Sequence, residues 1–144
     1  SPNEMVHEGI VETSMVRTTA YGVSTLSQIA AQTAYEKCWY WVDGFLKHLT
    51  KMKDYAVERL NNMKNVTCHT PQGCYLVFPN ITATNKTSIE IADYLLKEAK
   101  VAVVAGTEQW FGPGAEGYIR ICISTSFTIL EEAFNRIENA FEKL

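Results

Sequence analysis

Tyr118-Ile119-Arg120-Ile121-Cys122-Ile123 alternates with a period of two. In an extended chain successive side chains point to opposite faces, so Ile119, Ile121 and Ile123 form one face and Tyr118, Arg120 and Cys122 the other. The isoleucine face is suited to packing against helices. Arg120 then projects from the opposite face, among apolar and aromatic neighbours. A guanidinium keeps its proton, so it needs solvent or an anion there. Its planar fork matches a carboxylate through two parallel hydrogen bonds. The pattern leaves two readings open. One is an internal ion pair with Glu116 or Glu108, or an edge-strand arginine whose head reaches water. The other is a grip on an acid from outside.

Immediately before this strand, Gly112-Pro113-Gly114-Ala115-Glu116-Gly117 matches the Gly-x-Gly-x-x-Gly dinucleotide pattern letter for letter. The mechanism of that motif needs a helix N-terminus after the glycines, and here a strand follows, so the glycines are read as turn residues. Further upstream, residues 101–104 read as a short buried strand. Thr87-x-x-Glu90 is a capping box opening a helix whose Ile91, Ala92, Leu95, Leu96 and Ala99 share a face. Thr70-Pro71-Gln72-Gly73 is a turn, followed by a strand over residues 74–78 that Pro79 ends. Downstream, Thr128-x-x-Glu131 starts a final helix with Leu130, Ala133, Phe134, Ile137, Ala140, Phe141 and Leu144 at helical spacing. The expected fold is α/β, of the α+β kind: a small, mostly antiparallel sheet with helices packed on one face.

A long connecting helix precedes that sheet. Val42, Phe45, Leu46, Leu49, Met52, Ala56, Leu60 and Met63 make one apolar stripe along about six turns, long enough to bridge two domains. Gly44 inside it costs on the order of 1 kcal/mol relative to Ala and is expected to mark a bend or a close contact. Trp39, Tyr40 and Trp41 suggest a large apolar contact, in a core or at a domain interface. Before them, Ser1-Pro2-Asn3-Glu4 reads as a cap opening a helix to about residue 13. Residues 17–25 read as loop, and Ser24 or Thr25 caps the next helix. The start on Ser1-Pro2 rather than Met points to a processed product or a piece of something longer.

Composition narrows the function. The 144 residues are 47% hydrophobic and 20% charged, with a net charge of −3, an ordinary globular balance without the basic footprint of a nucleic-acid binder. A chain of this size buries roughly 68–70% of its unfolded surface, enough for a core without staples. Apolar runs are far too short for a membrane span. Cys38, Cys68, Cys74 and Cys122 form no Cys-x-x-Cys pair, and Cys68, His69 and Cys74 fit no usual zinc spacing, so no metal is expected. With free thiols and no visible export segment, the Asn-x-Thr triplets at Asn65, Asn80 and Asn85 are read as chance matches. The expected location is cytoplasmic, an organelle remaining open. His7, His48 and His69 are isolated, His48 being read as a surface or boundary residue, and no nucleophile sits in a recognisable setting.

Several segments together carry a resemblance. They are residues 71–79 (Pro-Gln-Gly-Cys-Tyr-Leu-Val-Phe-Pro), Leu95-Leu96-Lys97-Glu98, residues 101–106, Phe111-Gly112 and residues 114–121 (Gly-Ala-Glu-Gly-Tyr-Ile-Arg-Ile). With Glu131-Glu132-Ala133, Arg136-Ile137 and Ser27-Gln28, the chain resembles the C-terminal part of class I/II aminotransferases, fold-type I enzymes that use pyridoxal phosphate. The resemblance implies that residues 1–37 are the end of a large cofactor-binding domain and residues 38–144 the small domain with its connecting helix. It implies that Arg120 grips the α-carboxylate of an amino or 2-oxo acid. Arg17 resembles the place where aspartate-specific members present an arginine to a distal carboxylate in the partner subunit, although the loop departs from them between Tyr21 and Gln28. Ala105 stands where members usually have Pro, which should loosen the turn but keep its course.

None of the nine lysines stands in a setting like the family's Schiff-base lysine. The isolated chain is therefore expected neither to bind pyridoxal phosphate nor to transaminate, whereas the full-length enzyme would be a homodimer holding the cofactor. Two other functions stay open: another reaction of the same fold, such as C–S lysis or cyclopropane formation, and a non-enzymatic α/β binding or dimerisation module.

Overall fold

The structure is a computed structural model that describes residues 3–19 and 23–144. The chain divides into two units, Ser1–Asp43 and Gly44–Leu144. The first unit is helical. Asn3, extended and with its side-chain oxygen accepting the Val6 amide, caps α1 (Glu4–Thr13). The cap expected at Ser1-Pro2 lies outside the described residues, and Asn3 already meets the first turn's need for an acceptor. The expected loop from residue 17 is in part a helical turn, α2 (Val16–Thr19). Met15 in the left-handed region separates it from α1, and its carbonyl accepts from the Thr18 hydroxyl and amide. The Tyr21-Gly22 stretch lies outside the described residues. Ser24 caps α3 (Thr25–Lys37) by accepting the Ser27 amide. No described side chain of this unit is buried.

The apolar stripe forms α4 (Trp39–Asn62). Its buried residues begin at Met52 and continue with Ala56 and Leu60, while Val42, Phe45 and Leu49 are half-buried. Gly44 lies inside the helix, and a Cβ there would meet nothing within 4 Å, so the close contact expected at this position is absent. Trp39, Tyr40 and Trp41 are exposed, which removes the core reading for them.

In the second unit three short strands, β1 (Leu76–Val77), β2 (Val104–Ala105) and β3 (Ile119–Cys122), form a sheet in the order β1-β3-β2. Both pairings are antiparallel, with Leu76 opposite Cys122 and Val104 opposite Arg120. The expected alternation is present: Ile119, Ile121 and Ile123 are buried, whereas Arg120 is half-buried and Cys122 exposed. The isoleucines share a core with Val77, with Ile91 and Leu95 from the 88–99 helix, with Leu60 of α4, and with Phe134 and Ile137 of the last helix. Each large aliphatic side chain buried in this way contributes about 1.5–3 kcal/mol.

Three expected boundaries move. Pro79 does not end the pairing: its carbonyl accepts the Ile119 amide, and Asn80 bridges to Thr67 and Tyr118. Proline lacks a donor but keeps its acceptor, and that is enough here. The strand expected over residues 101–104 begins only at Val104 and is not buried. The helix α5 (Ser88–Tyr94) runs on as a wider, π-type turn through Leu95–Ala99, and the chain leaves it through left-handed Lys100. The Val101 amide then closes back on the Leu95 carbonyl, so the first residue meant for the strand is used in ending the helix. The Thr87/Glu90 capping box forms as expected. α6 (Glu108–Phe111) is a single turn, and α7 (Phe127–Phe141) is capped by Ser126 rather than by Thr128, because the Ser126 hydroxyl already accepts the Ile129 amide.

Candidate functional site

β3 is the central strand, so Arg120 is placed by two neighbours at once. Its backbone stands opposite Val104 of β2, and Ala105 stands opposite Ile119. The Gly106 amide then donates to the Tyr118 carbonyl at 2.8 Å. A Cβ at Gly106 would run into the Ala115 and Tyr118 carbonyl oxygens, so this approach depends on glycine. After it, α6 brings Phe111 to the face of the sheet from which Arg120 projects.

On that face the Arg120 guanidinium carbon lies 5.9 Å from the centre of the Phe111 ring. Phe111 is 5.2 Å from Phe78, which is stacked on Tyr118 at 5.2 Å with 9° between the planes. Arg120 Nε is buried and has no hydrogen-bond partner. Among the described residues Arg120 joins no ion pair. The contrast with Arg59 is direct: that side chain donates to the Tyr55 hydroxyl, Asn135 Oδ1 and Glu138 Oε2 at 2.6–2.9 Å and so ties α4 to α7. Arg59 is a neutralised structural arginine, and Arg120 is not.

The internal ion pair considered for Arg120 is thus not formed. Glu116 is engaged elsewhere, its Oε1 accepting the Ser88 amide at 2.7 Å, while the buried Ser88 hydroxyl accepts the Gly117 amide at 2.8 Å. The bond from the Ser88 amide holds the Glu116 carboxyl below its usual range. These two bonds lock the turn before β3 onto the start of α5. Gly117 has a φ of +85°, and a Cβ there would overlap the Thr82 methyl. Gly112 and Gly114 are also in the positive-φ region, and a strand follows them, as the turn reading requires.

The other candidates are less engaged. Arg17, on α2, is exposed, with Nη2 3.7 Å from the exposed Glu8 carboxylate, a pairing worth about 0–1 kcal/mol. His48 is a boundary residue whose Nε2 donates to the Thr125 carbonyl at 2.7 Å. Cys68 is buried, which pushes its thiol pKa up, and Cys74 and Cys122 are exposed. Among the described residues no three His, Cys, Asp or Glu side chains group to hold a metal, and no helix is long and apolar enough to cross a membrane.

A Schiff-base lysine is made a neutral amine by burial in an apolar pocket or by a neighbouring cation. Eight of the nine lysines are exposed, and half-buried Lys53 has its ammonium 3.1 Å from Asp54. These residues do not fit the anchoring of pyridoxal phosphate. Sequence reasoning missed the ring path through Phe78, Phe111 and Tyr118. The one available signal was a pair of aromatic residues, Trp110-Phe111, placed directly before a glycine-rich turn.

Residues 7–137 match the family described as aminotransferase class I and II, and the chain belongs to that family. It is 36% identical to an aspartate aminotransferase of Pyrococcus horikoshii over 147 residues, covering 99% of this chain and 36% of that one. Among solved structures it resembles an alanine aminotransferase from Pyrococcus furiosus with a TM-score of 0.85 and 28% identity, covering 99% of this chain and 36% of the other. Cystalysin from Treponema denticola, which contains pyridoxal 5'-phosphate, superposes with a TM-score of 0.87 over 98% of this chain and 35% of its own, at 20% identity, a likeness of fold alone. The chain therefore spans about a third of the length of these relatives.

Proposed function

We propose that this chain is the carboxylate-gripping part of a pyridoxal-phosphate-dependent aminotransferase that moves an amino group between an amino acid and a 2-oxo acid. Arg120 holds the α-carboxylate with its fork. The observation that carries this is a half-buried guanidinium whose Nε has no partner and which, among the described residues, no acidic side chain neutralises. Residues 1–37 belong to the end of the large domain and residues 38–144 to the small domain. The exposed apolar side chains of the first unit, such as Met5, Leu26 and Trp39, support its belonging to something larger. In the whole enzyme, a homodimer, a lysine outside these 144 residues holds the cofactor, and the small domain closes on the substrate to exclude water. Arg17 is the second candidate, for a distal carboxylate, and is the weaker because Glu8 stands beside it. The isolated chain does not transaminate.

The test is Arg120→Lys in the whole enzyme. An ammonium cannot reproduce the fork, so KM for amino acids rises and kcat/KM falls by about tenfold to a hundredfold per charge-assisted bond lost. Wild-type kcat/KM in that variant would remove the assignment. Substrate profiling of the same enzyme separates amino transfer from C–S lysis.

A further inference from the structure

We infer that Phe111 is a positioning residue for Arg120: its ring face sets the plane of the guanidinium and leaves the donors of the fork free for a carboxylate. The inference rests on the reading of Arg120 as the carboxylate grip. A guanidinium carries five N–H donors and no acceptor. Held by an acidic side chain, as Arg59 is by Glu138, it is positioned but also neutralised, and part of its fork is used. Arg120 has no such partner among the described residues and is instead 5.9 Å from a ring centre, within the reach of a cation–π contact. That contact orients the cation without consuming a donor.

The ring is itself held. The Phe111 amide and the Trp110 amide both close on the Thr107 carbonyl, and the Gly112 amide closes on the Glu108 carbonyl, so α6 is a fixed turn. Phe111 leans on Phe78, and Phe78 stacks on Tyr118, the residue just before β3 and two before Arg120. The rings thus leave the central strand at Tyr118 and return to it at Arg120. Phe111 is also partly exposed, at 37%, so it stands at the rim where an incoming acid would approach.

The test uses the full 144-residue chain, isotope-labelled, in a low-salt buffer free of carboxylates. Pyruvate is titrated while the backbone amide resonances of residues 120 and 121 are followed, with methyl pyruvate as the control lacking the carboxylate. Phe111→Leu is expected to weaken pyruvate binding about fivefold, and Phe111→Tyr, which keeps the ring face, to stay within about twofold of wild type. Thermal midpoints are read on the same samples, and the expected loss of affinity in Phe111→Leu does not follow them. If Phe111→Leu does not fold, Phe111→Met, which fills space without a ring, is read in its place. A Leu or Met variant with wild-type affinity, while Arg120→Lys abolishes binding, overturns the inference and leaves the Arg120 reading standing. Equal losses in Phe111→Leu and Phe111→Tyr overturn it as well. If the wild-type chain responds alike to pyruvate and its methyl ester, or Arg120→Lys binds as well as wild type, the Arg120 reading falls and the inference with it.

Discussion

Residues 3–19 and 23–43 lie largely in helices, two of them with side-chain caps, without burying a single described side chain, whereas residues 44–144 carry every buried residue among those described. Asn3 and Ser24 satisfy first-turn amides in the first unit much as Thr87 and Ser126 do in the second. Capping is therefore the same on both sides, and the core is what differs. Helices of this length draw most of their stability from packing an apolar face rather than from their ends. The first unit shows what local signals place, and the second shows what long-range burial adds.

The largest expected effect bears on that contrast directly. Phe134, fully buried, should cost about 3–5 kcal/mol when truncated to Ala. Leu26, 80% exposed, should change stability by no more than about 0.5 kcal/mol. Denaturant titration of both variants measures this, and equal losses would show that the first unit depends on a contact of Leu26 as strongly as the second depends on its core.

Gly117→Ala comes next. It forces a side chain into positive φ and against Thr82, so a loss of roughly 1–3 kcal/mol is expected, with greater mobility of the turn before Arg120. Unchanged stability would mean that the Ser88 lock tolerates a shifted turn.

The smallest effect is one of pH. Glu116 is fully exposed, yet its folded pKa is lowered by the bond from the Ser88 amide. A depressed carboxylate contributes stability above its unfolded pKa, about 4.3, and loses it as pH falls through the lower folded value. Glu116→Gln should therefore flatten the acid side of the stability profile below about pH 5 while changing little at neutral pH. A slope identical to wild type would show that Glu116 takes no part in the lock.

Much of this fold is legible in short patterns. The period of two at 118–123 places the isoleucines inside and Arg120 outside, and the structure agrees residue by residue. The Thr87/Glu90 box and the turn reading of the 112–117 glycines also hold. The misread boundaries come from competition between alternative hydrogen-bond partners, near and far along the chain. Ser126 took the cap offered to Thr128, and the π-type ending of the α5 helix drew Val101 away from the strand. Beyond the end of β1 at Val77, Pro79 still bonds to the strand beside it because its carbonyl met the Ile119 amide, a partner some forty residues away.

The candidate site divides along the same line. That residue 120 is a permanent cation on the far side of a strand from the core follows from its neighbours in the chain, since alternation and a guanidinium's chemistry are local matters. Whether that cation is neutralised is a question of distance in space. Glu116, four residues before Arg120, turns instead to Ser88, twenty-eight residues away, and Phe111 arrives on a turn carried in by another strand. Ion pairing and ring contact act over a few ångströms in three dimensions, and no spacing along a chain specifies which of several acids and rings will fall within that reach.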